Sequence, residues 1–375
     1  MSLRASSEAA TLLTGGLAAI RQQYQVPGPF PPAVVAEAEQ AAQRPLNASG
    51  DRDARHIEFV TLDPATSTDL DQAYHLGQEA DTLVLSYAIA DVGFFVDRNS
   101  ELEREAWRRG STVYCPDGRE PQYPDVLCEG AASLLPDVDR PAVVLTVHLD
   151  ADGNATLRNA QRRVIRSRAK LAYETVSDPQ LGPLVVEFST RVAAAENRRG
   201  ATRIEFPEQD VEVDASSPGG FKLVTRQRHT SEDTNSSLSL AANMAVADCM
   251  FAASQGLFRV MAEPSAPSVR ALRHRANMLG INWLSGHSLR QLGVTLDPNN
   301  PKHVAFLLAA RRAGGGASYA AFEAGQRPWH SAIAATYAHA TAPLRRLADR
   351  YVLDLVVELC ADQEPTKVDV FPVAP

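Results

Sequence analysis

The sequence predicts a mixed α/β fold of the α+β kind, with strands gathered early and helices late. Three observations predict it. Residues 56–96 carry a β-rich run, HIEFVTL, and a near-continuous apolar run, LVLSYAIADVGFFV, the pattern of strands buried on both faces. PAVVLTVHLD at 141–150 and the TLRNAQRRVI that follows read as two more strands, split by the turn signal ADGN at 151–154, which makes a hairpin. Beyond residue 234 the pattern turns helical, with helices expected at 234–256, 268–285, 302–312 and 343–361.

The remaining elements follow in chain order. Residues 1–55 read as short helices broken by VPGPFPP at 26–32, with a good helix former in AVVAEAEQAAQR at 33–44. ELEREAWRR at 101–109 places acids early and arginines late, which suits a helix dipole. Gly110 follows as its C-cap. Residues 184–199 read as a helix, and IEFPEQDVEVD (204–214) and FKLVTR (221–226) as strands around an SSPGG loop. AGGGAS at 313–318 breaks the helical half. The expected organisation is an N-terminal helical appendage or accessory-domain remnant over 1–55, one domain over 56–360, and a tail or the start of a further domain over 361–375.

Composition narrows the class. The chain has 375 residues, 45% hydrophobic and 22% charged, ample for a sizeable core and inconsistent with dominant disorder. It has no apolar run of about 18 residues, so no membrane span is expected, and no signal peptide is read at the start. Cys115, Cys128, Cys249 and Cys360 form no CxxC motif and suggest reduced thiols and a cytoplasmic location. A net charge of −8 argues against nucleic-acid binding by bulk charge alone. Yet RNAQRRVIRSRAK, from Arg158 to Lys170, holds six cations and no anion. It reads either as a solvated basic face or as the wall of a binding channel.

Three constellations carry chemistry. TLDPATSTDLDQ crowds Asp63, Asp69 and Asp71 into a turn-prone stretch after a strand. Carboxylates brought together repel unless a cation neutralises them, and oxygen ligands on a loop suit Mg²⁺. Asx-turns and helix N-caps use the same residue types, and spacing alone leaves both readings open. YAHATAPLRRLAD, from Tyr337 to Asp349, suggests a helix capped at Thr341 or Ala342, with Arg345 and Arg346 in its first turn. Arginines there oppose the dipole unless an external anion such as phosphate binds them and the free backbone N–H groups. The competing reading pairs Arg345 with Asp349 at i,i+4. RGSTVYCPD presents Tyr114 before a Cys-Pro turn, either for base stacking or as a buried core ring.

These blocks, with YAIADVGFFVDRNSELEREAWRRGSTVYCPDG, LLPDVDRPAVVLTVHLD, IRSRAKLAYETVSD and LAANMAVAD, resemble the catalytic domain of the ribonuclease II / ribonuclease R (RNB) family. They occur in the family's order over about residues 56–360. The resemblance implies a mostly antiparallel mixed sheet with helices packed around a central channel. It implies a processive hydrolytic 3′-to-5′ exoribonuclease, acting on single-stranded RNA and not DNA, that releases nucleoside 5′-monophosphates. The cofactor it implies is Mg²⁺, one ion or two, with Mn²⁺ as a substitute. By motif, Asp63, Asp69, Asp71 and the position of Gln72 match the metal site. Asp71 matches the aspartate that contributes most to turnover, and Asp69 stands with it. Arg345 matches the arginine on the phosphate under attack, with Arg346 and Thr341 in the same motif. Tyr114 matches an aromatic on the 3′-terminal nucleotide, and Tyr173 and Glu208 match residues near the ribose.

The chain departs from that pattern at several positions. Gln72 stands where the family has a fourth aspartate, so one metal position is weakened or lost. Ala342 replaces a serine of the Thr-Ser-Pro-Ile-Arg-Arg motif, and Ala88 replaces a histidine. His339 is either a site neighbour or an ordinary surface or core histidine. The short flanks hold no room for the family's cold-shock and OB-fold domains. Two alternatives therefore stand beside the exoribonuclease: a catalytically weak homologue that regulates by binding RNA or protein, and a metal-dependent phosphodiesterase with another substrate.

Overall fold

The computed structural model describes residues 8–361, except 202–207, 215, 217–220, 227, 294 and 298–299. Two helices, α1 (Glu8–Gln23) and α2 (Pro32–Ala42), precede strands β1 (Phe59–Asp63), β2 (Gln72–Glu79) and β3 (Thr82–Ala90). Helix α3 (Glu101–Arg109), the short strands β4 (Val113–Cys115) and β5 (Gly118–Glu120), and the long strands β6 (Asp139–Leu149) and β7 (Ala155–Ala172) follow. Next come α4 (Asp178–Leu181), α5 (Pro183–Arg199), β8 (Glu208–Val213), β9 (Phe221–Arg226), α6 (Thr230–Ala252) and β10 (Leu257–Val260). The last elements are α7 (Ala266–Met278), α8 (Leu289–Gly293), α9 (Pro301–Ala313), β11 (Ser318–Ala321) and α10 (Leu347–Cys360).

The five long strands close a barrel in the order β1-β2-β3-β6-β7. Every neighbour pair is antiparallel except β1 with β7, which is parallel. Tight turns join β2 to β3 and β6 to β7, whereas the 64–71 loop joins β1 to β2 and a long excursion carrying α3, β4 and β5 joins β3 to β6. At the β6–β7 turn the Asn154 N–H donates to Asp150 Oδ1 at 2.8 Å, and Gly153 takes a φ of 74°, which a side chain would resist. The β7–β1 seam needs a long crossover, because parallel partners cannot be joined by a hairpin. β7 runs on to Ala172, past the expected end at Ile165, pairing Phe59 with Ser167 and Asp63 with Ala172.

One core cluster joins barrel residues such as Leu85, Tyr87, Ile89 and Leu145 to α5, α6 and α10. A second packs α2 and α3 against the barrel, with Val34, Ala38, Phe59, Leu102 and Ala106 buried. A satellite cluster joins α7 to α9. Helix α6 is buried along most of its length, which its small residues Ala241, Ala242, Ala245 and Ala247 permit. Among the described residues no helix is long and apolar enough to cross a membrane.

The basic run on β7 is partly engaged within the molecule, with Arg158, Arg162 and Arg168 still exposed. Arg162 bridges Asp91 and Asp354, Arg166 pairs with Asp139, and Arg168 donates to the Arg55 carbonyl. One expectation is corrected: the last helix starts at Leu347, not 343. Residues 343–346 form a turn in which the Ala342 carbonyl accepts the Arg345 and Arg346 N–H groups. The backbone then pairs with the 110–112 segment: Thr112 N–H donates to Arg345 C=O at 3.0 Å and Leu347 N–H to Gly110 C=O at 3.1 Å. Gly110 caps α3 with a φ of 71°, which turns the chain into that pairing.

Candidate functional site

The site forms where β1 ends, the 64–71 loop crosses, and the 341–346 turn arrives beneath the β4–β5 hairpin. The loop is pinned from both sides. Lys170 Nζ donates to the carbonyls of Ala65 and Ser67 at 2.7 and 2.5 Å. Ser133 Oγ accepts from the Leu70 N–H at 2.9 Å and donates to the Thr68 carbonyl at 2.7 Å. Leu70, fully buried, anchors it in the second core. These ties hold three aspartates whose mutual repulsion opposes such a fold.

Asp71 lies deepest, 5% exposed. Its Oδ1 accepts the Leu344 N–H at 2.8 Å, and its Oδ2 stands 3.4 Å from Arg345 Nε. Burial nonetheless pushes its carboxyl up to about 7, against the pull of Arg345 and the Leu344 N–H. Asp63 is pushed up to about 6, first by burial and then by Asp69, with Arg345 and Lys170 opposing. Its Oδ2 is buried with no hydrogen-bond partner. Two carboxylates thus sit in a pocket where burial outweighs the nearby positive charge.

Asp69 faces elsewhere: Arg119 Nη1 donates to its Oδ2 at 2.7 Å. Gln72 Oε1 accepts from the hydroxyl of Tyr87, a fully buried ring. Among the described residues, no three His, Cys, Asp or Glu side chains are grouped to hold a metal ion. Mg²⁺ needs no such group, since it binds through one or two carboxylates plus waters and substrate phosphate. The unpartnered Asp63 oxygen and the under-compensated Asp71 fit a divalent cation.

Arg345 is exposed between buried Leu344 and half-buried Arg346, with its guanidinium over Asp71. Arg346 does not share that role. It caps α10 and reaches Asp349 at 2.7 and 3.0 Å, while Asp349 also accepts the Ala342 N–H at 2.7 Å. The arginine paired with Asp349 is therefore Arg346, at i,i+3. The expected anion site, built from two first-turn arginines and free N–H groups, is not formed, because Asp71 and the 110–112 segment occupy those groups. Thr341 is buried, its hydroxyl 3.1 Å from Ser239 Oγ and 3.2 Å from Asn243 Nδ2 on α6. His339 is held neutral by burial and nearby arginines, with Nδ1 2.8 Å from the Tyr319 hydroxyl.

Two aromatic rings flank the carboxylates. Tyr114 is 60% exposed, not a core ring. Partial burial and the Asp69 and Asp71 charges raise its phenol, with Arg345 opposing. Tyr173 follows β7, donates its N–H to the Asp63 carbonyl at 3.1 Å and accepts Asn235 Nδ2 at 2.6 Å on its hydroxyl. Glu208 opens β8, and its side chain lies outside the described residues. Sequence reasoning missed Arg119 and the role of Lys170 as a loop clamp, and it gave Asp349 Arg345 rather than Arg346 as its partner. The Cys-Pro-Asp-Gly turn was the available signal for Arg119, since a tight hairpin there sets it opposite Tyr114.

The chain is 27% identical over 379 residues to ribonuclease R of Thermotoga maritima, covering 94% of this chain and 53% of that protein. It thus spans about half the length of that curated relative. Its fold matches the apo form of Mycoplasma genitalium RNase R with a TM-score of 0.80 and 23% identity, over 93% of this chain and 58% of that one. The same enzyme has also been solved in complex with ribose-methylated single-stranded RNA. Yeast Ssd1, described as a pseudonuclease, matches with a TM-score of 0.66 and 18% identity, over 86% and 42% of the two chains. The RNB domain model matches residues 51–362, and the chain belongs to the RNB domain family.

Proposed function

We propose that this chain is the catalytic part of a 3′-to-5′ exoribonuclease that hydrolyses single-stranded RNA to nucleoside 5′-monophosphates. The observation that carries this reading is the pair of buried, charge-deficient carboxylates, Asp63 and Asp71, beneath an exposed Arg345. The RNA complex of the Mycoplasma genitalium enzyme supports the substrate class.

Asp63 and Asp71 would hold a divalent cation, with Mg²⁺ the ion that the oxygen donors favour. When bound, it supplies Lewis-acid charge to a phosphodiester. Arg345 stands where it can donate to a phosphate above Asp71 and stabilise charge gathering on it. Its backbone is fixed by the Thr112 N–H, so the guanidinium is placed before substrate arrives. Tyr114 offers an exposed ring beside that phosphate for the terminal base, which favours an unpaired strand. Tyr173, held beside Asp63 by its N–H, would meet the sugar.

One observation favours the second reading, a catalytically weak RNA-binding homologue. Gln72 brings no charge, and its amide oxygen is engaged by Tyr87. A time course on 5′-labelled single-stranded RNA, with Mg²⁺ and with chelator, separates the two. Metal-dependent conversion to short 5′ fragments with released 5′-monophosphates supports hydrolysis. Bound but intact RNA at every Mg²⁺ and Mn²⁺ concentration supports the homologue.

A further inference from the structure

We propose that Asp69 and Arg119 form a positioning pair that fixes the β4–β5 hairpin, and with it the Tyr114 ring, over Asp63 and Asp71. The proposal rests on the reading of Tyr114 as the ring that meets the RNA end. The hairpin's two strands are only three residues each, and an isolated two-stranded hairpin is marginal in water. It needs ties to the body, and the structure supplies them at three places.

At the root, Thr112 N–H bonds to Arg345 C=O, and Thr112 Oγ1 accepts the Gln122 N–H at 3.0 Å. At the tip, both Oδ atoms of Asp117 accept from the Arg21 guanidinium of α1, at 2.8 and 2.9 Å. In the middle stands Arg119, directly across the ladder from Tyr114. Directly paired residues point to the same face of a sheet, so the face that presents Tyr114 also reaches Asp69.

The middle tie is somewhat less exposed than the tip tie, where Arg21 and Asp117 are 25% and 26% exposed. Asp69 and Arg119 side chains are 18% and 22% exposed. Arg119 also bonds Glu129 and lies 3.6 Å from Asp125. One guanidinium therefore contacts three carboxylates and offsets part of their mutual repulsion, which grows without it. Because Asp69 lies two residues before Asp71, the same pair couples the hairpin to the carboxylate loop. Asp69 is thus a positioning residue, which acts on RNA through Tyr114.

Asp69→Asn and Arg119→Gln in the full chain test this. Amide hydrogen exchange across residues 113–120, measured without RNA or metal, should quicken roughly fivefold in both variants. Affinity for single-stranded RNA in chelator should fall by roughly fivefold in each. That loss should vanish in a Tyr114→Ala background, because neighbouring residues that act together are not additive. With Mg²⁺ the defect should appear in KM more than in kcat. Unchanged exchange in both variants overturns the proposal, whether or not the chain binds RNA. So does an Asp69→Asn variant that binds RNA equally or more tightly in chelator while needing more Mg²⁺ for turnover, since that assigns Asp69 to the cation. A parent chain with no RNA affinity overturns the proposed function instead, and the exchange comparison still decides the hairpin.

Discussion

Asp71→Asn should stabilise the metal-free chain above neutral pH while abolishing turnover. Asp71 is 5% exposed, and burial lifts its carboxyl from an ordinary 3.8 to about 7. The folded chain then binds that proton about three decades more tightly than the unfolded chain, which is about 4 kcal/mol. The sign follows from which state holds the proton. Stability from this group is fully present below about pH 4 and is lost as pH rises through about 7. Asp63, raised to about 6, adds in the same direction. Asparagine keeps an oxygen for the Leu344 N–H and has no charge to desolvate. It gives up only the 3.4 Å contact with Arg345, whose side chain is about half exposed and whose attraction solvent therefore weakens. Desolvation wins that comparison. Denaturant unfolding in chelator at pH 5 and pH 8 measures it. The parent should lose several kcal/mol between the two, and Asp71→Asn should be the more stable by about 2 kcal/mol or more at pH 8. Mg²⁺ at pH 8 should restore the parent by mass action and the variant far less. A parent that gains stability over this range, or a variant less stable at pH 8, refutes the claim that these carboxylates are under-compensated.

Other substitutions test neighbouring parts of the site. Arg345→Ala should lower kcat by about 10²–10³ with little change in melting temperature, as loss of one preorganised donor does; single-turnover rates at saturating RNA measure it. Gln72→Asp should lower the Mg²⁺ concentration for half-maximal rate, and an unchanged titration would place residue 72 out of reach of the cation. Gly110→Ala should destabilise the chain by about 1 kcal/mol through its left-handed backbone alone, read by denaturant midpoint.

The parts of this architecture written in local pattern were legible. The apolar runs gave β1, β3 and β6, the ADGN turn gave the β6–β7 hairpin, and the graded charge of ELEREAWRR gave α3 with its glycine cap. The aspartate loop and Arg345 were legible as residue types. Their mutual placement was not, because long-range backbone bonds set it. Residues 343–346 carry a good helix start, yet pairing with the 110–112 segment claims the same N–H and C=O groups and delays the helix to Leu347. Arg119 reaches Asp69 across 50 residues, and Lys170 reaches the loop carbonyls across more than 100, so no local window joins either residue to that loop.

The same long-range bonds explain how a destabilising site persists. Two buried carboxylates lacking full compensation oppose folding, and local sequence offers nothing to offset them. What offsets them is the closed barrel: β1 delivers Asp63 and β2 begins at Gln72, and both strands are held in its wall by ladders on each side. The loop between them is further pinned by Lys170 and Ser133. A site whose groups favour a cation over their own protein surroundings must be supported by elements that do not depend on it. The barrel supplies that support to the carboxylates, while the short β4–β5 hairpin has no comparable ladder and relies on side-chain ties beyond its backbone bond at the root. Weakening should therefore appear first in the placement of Tyr114, and only later in the placement of Asp63 and Asp71.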